Sequence, residues 1–126
     1  MVRGAGVDII EIARFGGVDS KQEFIREVLT DNEIQSVSIG PNQSASYATA
    51  FTIKEAVLKA LGCGLHDGSY WHDVEIDANG SIRLTGHLAS LARQQSISAI
   101  HSSQSRSENC VVAFVLLENE NQEETP

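Results

Sequence analysis

Three side chains carry most of the chemistry legible in this sequence: Asp8, Glu55 and Lys59. Asp8 interrupts the β-branched run Val7-Asp8-Ile9-Ile10-Glu11-Ile12. Aspartate is depleted in strands and costly to bury without a partner, so its presence there asks for a reason. Glu55 and Lys59 stand four residues apart, which on a helix puts them on one face with the acid N-terminal to the base. Two carboxylates suffice to hold Mg²⁺, a cation usually bound through one or two acids together with waters and substrate phosphates. A lysine beside them completes a minimal kit for gripping a pyrophosphate and stabilising charge as one phosphate is attacked. Each part also has a plainer reading. Glu55 and Lys59 fit a solvated ion pair on a half-buried helix. Asp8 fits an edge strand facing water, with Glu11 turned to the opposite face.

Other chemistry-bearing residues are weaker. His66, His72 and Asp73 lie close together, but zinc would want tighter spacing and a further His or Cys. They read better as part of a loop packing Tyr70 and Trp71. Cys63, between two glycines, has no neighbour that would lower its pKa and reads as a small buried thiol at a helix end. Gly4 and Gly6 lack the third glycine and the following helix of a dinucleotide fingerprint. No Walker motif, G-x-S-x-G elbow or HExxH motif occurs.

The elements that must position these residues follow from pattern. The run around Val7–Ile12 is a strand. Ser20-Lys21-Gln22-Glu23 and Thr30-Asp31-Asn32-Glu33 both fit the capping box and open two helices. In the first, Phe24, Ile25, Val28 and Leu29 form the apolar face and leave Lys21 and Arg26 to water. After the turn-rich stretch 38–42, Ser44 or Ser46 caps a long helix that runs to about Leu61 and stops at Gly62. Residues 73–77 and 81–85 alternate around Asn79-Gly80 and form a hairpin. Gly86–Gln95 reads as a short amphipathic helix, Ser96–Ile100 as a strand, and the almost unbroken apolar run Val111–Leu117 as a central strand.

The totals set bounds. A chain of 126 residues, 41% hydrophobic and 21% charged, is one ordinary globular domain. No apolar run reaches membrane-spanning length, and the N-terminus is too short and too acidic for a signal peptide. The two cysteines suggest no disulfide framework, so a reducing, cytoplasmic location with both thiols reduced is expected. A net charge of −8 argues against a nucleic-acid binder. The charge is uneven: residues 1–64 carry a net −2 and residues 65–126 a net −6. An anionic ligand or acidic partner would be met in the first half.

The sequence resembles a known family. GVDIIEIARF at 6–15 is similar to the opening motif of the holo-acyl-carrier-protein synthases, and FTIKEAVLKALGCG at 51–64 to their helix motif. These are the two signatures of the 4′-phosphopantetheinyl transferase superfamily, in the right order and at about the right distance. The resemblance implies an α+β, single-domain 4′-phosphopantetheinyl transferase fold, an antiparallel sheet packed with one long and several short helices. The domain would span 1–118, with 119–126 an acidic, frayed tail. It implies transfer of 4′-phosphopantetheine from coenzyme A to a serine of an apo acyl or peptidyl carrier protein, releasing adenosine 3′,5′-bisphosphate, in fatty-acid, polyketide or peptide synthesis. Asp8 and Glu55 match the Mg²⁺ ligands, and Glu55 and Lys59 the catalytic pair. Lys59, Gly62, Gly64, His101, Ser103 and Arg106 fall at coenzyme-site positions, and Arg14, Phe24 and Arg26 at the carrier-docking surface. Members of this size form homotrimers with active sites between subunits.

Two departures accompany the match. Ala50 stands where the family usually has an arginine, followed by Thr52-Ile53 in place of a small pair. His101, Ser103 and Ser105 keep the third motif, but Ser102 and Gln104 replace its apolar positions and Arg106 its final acid or histidine. Lost alternation there predicts a weakened strand or a loop, with Arg106 either drifting or gripping a coenzyme phosphate. The alternative these departures suggest is a non-catalytic or repurposed coenzyme A-binding homologue.

Overall fold

The computed structural model describes residues 1–17, 22–37, 42–63 and 68–120. The elements, in order, are β1 (Val2–Glu11), a 3₁₀ turn (Ile12–Phe15), α1 (Gln22–Val28), α2 (Asp31–Ser36) and α3 (Gln43–Ala60). A second 3₁₀ segment (Gly68–Asp73), β2 (Val74–Ile76), β3 (Ile82–Leu84), α4 (Gly86–Gln94), β4 (Ile97–Arg106) and β5 (Cys110–Asn119) follow. Among the described residues the strands form a three-stranded antiparallel sheet in the order β1-β5-β4 and a separate β2-β3 hairpin. The expected α+β architecture is present, with β5 central as its apolar run requires.

The long helix is more deeply placed than its sequence suggested. Residues Thr52 to Leu58 are all buried, including Lys54 and Glu55. One side of α3 lies on the sheet against Ala113, Val115 and Leu117, while Val57, Leu58 and Leu61 share a core with Val74 and Leu88. A helix enclosed on several sides needs no apolar stripe.

Close contact between α3 and β1 depends on two glycines. A Cβ on Gly4 would stand 2.2 Å from the Ala60 carbonyl oxygen, and one on Gly6 2.1 Å from that of Ala56. With Asp8 these residues alternate along the strand, so all three face the helix. The absent side chains let the helix settle where Asp8 can reach it.

Several boundaries differ from the sequence reading. α3 begins at Gln43 behind Asn42 without a side-chain cap, and the Ser44 hydroxyl instead donates to the Phe15 carbonyl at 3.1 Å. The Tyr70–Trp71 stretch is a 3₁₀ turn, not an irregular loop. β4 continues through Ser102 and Gln104 to Arg106, paired throughout with β5. Backbone pairing sustains an edge strand without apolar side chains wherever the face is wet. The Thr30–Glu33 capping box forms as expected, whereas Ser20 of the other box lies outside the described residues, as do His66 and the tail beyond Glu120.

Candidate active site

The site forms where β1 meets α3. The Lys59 ammonium donates to Asp8 Oδ1 at 2.8 Å and to the Val7 carbonyl at 3.0 Å, and the Thr52 hydroxyl donates to Asp8 Oδ2 at 2.7 Å. Thr52 and Lys59 are seven residues apart, two helical turns, and Glu55 lies between them on that face. Among the described residues, Glu33 and Glu55 are the buried carboxylates, at 6% and 8% exposure. Glu55 accepts a hydrogen bond at 2.8 Å from the Trp71 indole Nε1–H. Burial lifts the Glu55 carboxyl above its ordinary value, the Trp71 bond opposes that rise, the Asp8 charge adds to it and Lys59 offsets it. The pair on α3 is therefore not a solvated ion pair: Lys59 binds Asp8, and Glu55 turns to Trp71.

The donor set suits a hard divalent cation. Asp8 is close enough for its charge to raise the Glu55 carboxyl, and both side chains present oxygen. Among the described residues no group of three or more His, Cys, Asp or Glu could hold a metal. Two carboxylates without a full cage suit Mg²⁺, which keeps waters and substrate phosphates in its shell. The histidine-rich stretch goes elsewhere: His72 Nε2 meets the Arg26 carbonyl at 2.7 Å, and Asp73 Oδ2 accepts from the Leu88 amide at 3.2 Å near the start of α4.

The remaining candidate residues divide into groups. Arg14 lies in the 3₁₀ turn after β1, and Phe24 and Arg26 on α1. Phe24 joins an aromatic cluster with Phe15, Phe51 and Trp71, ring centroids 5.7–6.2 Å apart along the contacts. Gly62 follows α3 at φ +79°, the left-handed value its residue type permits; Gly64 lies outside the described residues. His101 and Ser103 pair with Leu116 and Phe114, and Phe114 with Val7. Directly opposed residues share a sheet face, so these two belong to the face away from α3 and from Asp8. Arg106 pairs with Val111 on the helix side and, with Ala50, lines a cleft of about 750 Å³ between α3, β4 and the β2–β3 turn. The arginine missing at position 50 and the one gained at 106 thus face the same space.

Sequence reasoning missed Trp71 and Lys54. Trp71 looked like packing, and its indole hydrogen bond to a residue 16 positions earlier has no local signal. Lys54 is a second lysine on the helix, and no local pattern marks it as buried. It is fully buried, with its ammonium 2.6 Å from Glu33 Oε1 and donating to the carbonyls of Val28 at 2.8 Å and Trp71 at 3.1 Å.

Known proteins share this sequence pattern and this fold. The profile of the 4′-phosphopantetheinyl transferase superfamily matches residues 4–115. A holo-[acyl-carrier-protein] synthase of Geobacter sp. (strain M21) is 38% identical over 124 residues, covering 94% of this chain and 99% of that protein. One from Vibrio cholerae is also 38% identical, with 94% and 98% covered. The crystal structure of holo-[acyl-carrier-protein] synthase from Neisseria meningitidis superposes with a TM-score of 0.81 at 30% identity, covering 94% of this chain and all of that one. A Bacillus anthracis synthase, solved in complex with CoA (3′,5′-ADP), gives 0.73 at 30% identity, with 95% and 99% covered. The chain belongs to the 4′-phosphopantetheinyl transferase superfamily, as a holo-[acyl-carrier-protein] synthase that transfers phosphopantetheine from coenzyme A to a carrier protein.

Proposed function

We propose that the transfer occurs at the Asp8–Glu55–Lys59 cluster, requires Mg²⁺, and takes place in a homotrimer whose subunits complete one another's sites. The observation that carries this reading is the convergence of one strand carboxylate and one helix carboxylate beside a half-exposed lysine. Asp8 and Glu55 would hold the metal, which when bound supplies neutralisation of the pyrophosphate charge. Lys59, 35% exposed at its side chain, can turn from Asp8 towards a phosphate and stabilise the departing adenosine 3′,5′-bisphosphate. Glu55, held above the ordinary carboxylate range by burial, is suited to take the proton of the carrier serine, through a water, as its oxygen attacks the pantetheine-side phosphorus. Arg106 would grip a coenzyme phosphate in the cleft it shares with Ala50.

The sheet face opposite α3 supports the trimer. Val7, Ile9 and Phe114 are 52%, 66% and 42% exposed there, in adjacent cross-strand positions. A continuous apolar face on two paired strands favours coverage by another copy. His101 and Ser103 share that face and would serve a neighbour's site. Arg14 and Arg26, near the aromatic cluster of Phe24, form a basic docking edge for an acidic carrier protein. A reaction that consumes coenzyme A, in a protein whose Cys63 and Cys110 form no disulfide, favours a cytoplasmic location.

Incubation with coenzyme A, Mg²⁺ and an apo carrier protein should add the phosphopantetheine mass to the carrier, and chelation should stop it. Asp8→Ala or Glu55→Ala should abolish that turnover while leaving the oligomer intact. Full activity in either variant would exclude the cluster as the site.

A further inference from the structure

The Glu55 carboxylate is tied to an element outside its own helix through Trp71, whose Nε1–H donates to Oε1 at 2.8 Å. The indole is itself restrained from three directions. Its backbone carbonyl accepts from the buried Lys54 ammonium at 3.1 Å. Its ring meets Phe24 edge-on at 5.8 Å and Phe51 at 5.9 Å. The next residue, His72, is fixed to the Arg26 carbonyl at 2.7 Å. A donor held this firmly fixes the rotamer of the acid it serves. It occupies one carboxylate oxygen and leaves Oε2 for another ligand.

We propose that Trp71 is the positioning residue for Glu55, orienting its carboxylate towards a divalent cation shared with Asp8. This rests on the assignment of Asp8 and Glu55 as the metal pair. The role belongs to the N–H group: the ring's packing serves the fold, and the donor serves the site. Partners outside a metal's first ligands typically change affinity or activity about 10–100-fold when removed. Trp71 is also the only tryptophan in the chain, so its emission reports on this one position.

Trp71→Phe keeps an aromatic ring and removes the donor. Calorimetric titration with Mn²⁺ as a Mg²⁺ probe should show affinity weakened about tenfold or more. The Mg²⁺ concentration for half-maximal transfer should rise in parallel and kcat should fall, while KM for the apo carrier protein and the melting temperature stay close to wild type. In the wild-type protein, Trp71 emission should change with Mg²⁺ along the calorimetric binding curve. This second measurement needs no variant and holds even if Trp71→Phe folds poorly. Metal affinity unchanged by Trp71→Phe, or emission indifferent to saturating metal, overturns the proposal alone. Absence of metal binding by the wild-type protein overturns it together with the assignment on which it rests.

Discussion

Lys54 Nζ lies 2.6 Å from Glu33 Oε1 with both side chains sealed from solvent, while its sequence neighbour Glu55 turns to the Trp71 indole. Glu33 also accepts from the Thr30 amide through Oε1 and from the Ile76 amide through Oε2, each at 2.8 Å. One ion pair therefore joins α2, α3 and β2, and Lys54 adds the end of α1 and the Trp71 turn. Burial lowers the Lys54 pKa, and the Glu33 contact resists that fall.

Removing one partner of such a pair leaves the other charge buried and uncompensated. Lys54→Met should destabilise the fold by about 3–5 kcal/mol, read as a shift of the urea midpoint. A loss below about 1 kcal/mol would mean that Glu33 finds water or another donor.

Gly6 is needed for the approach of α3. Gly6→Ala would drive a methyl into the Ala56 carbonyl, so the helix must lift from β1 and carry Thr52 and Lys59 away from Asp8. Overpacking of this kind costs about 1–3 kcal/mol or more. Turnover should fall more steeply than stability, as kcat beside thermal denaturation would show.

Glu75 gives a pH signature. The Thr30 hydroxyl, the Arg83 guanidinium and the Asn32 amide hold its carboxyl below the ordinary value. Because the folded pKa is depressed, the stabilisation is complete above the unfolded value of about 4.3 and lost as pH falls through the folded one. Glu75→Gln should thus be less stable than wild type near neutrality, with the gap closing in acid. Denaturant titrations at several pH values would measure it.

The apolar sheet face predicts assembly. Ile9→Asp places a charge on an exposed face away from Asp8 and the core. It should yield monomers in light scattering with the fold retained by circular dichroism. Transfer activity should collapse, because His101 and Ser103 then meet no neighbouring site. A trimer that persists would exclude this face as the contact.

Arg106 and Ala50 face one cleft. Charge-assisted hydrogen bonds contribute about 1.5–3 kcal/mol, so Arg106→Ala should raise KM for coenzyme A about tenfold or more with kcat less affected. Adding Ala50→Arg to that variant should recover part of the loss. Unchanged KM in Arg106→Ala would remove it from the coenzyme site.

What the sequence determined by itself was local or repeated in a motif. Asp8 within a β-branched run, Glu55 and Lys59 on one helix face, the Thr30–Glu33 cap, the Asn79-Gly80 hairpin and the central strand at Val111–Leu117 all follow from periodicity and turn chemistry. Tertiary structure decided which polar groups are buried and whom they meet. Lys54 and Lys59 have the same side chain five residues apart, yet one closes an internal ion pair with Glu33 and the other binds Asp8 at the surface. Trp71 is recognisable as an aromatic in sequence, but only the packed turn aims its N–H at Glu55. Side-chain type and spacing fix a residue's face on its own element; its partner across the chain depends on how those elements pack, which no local pattern encodes.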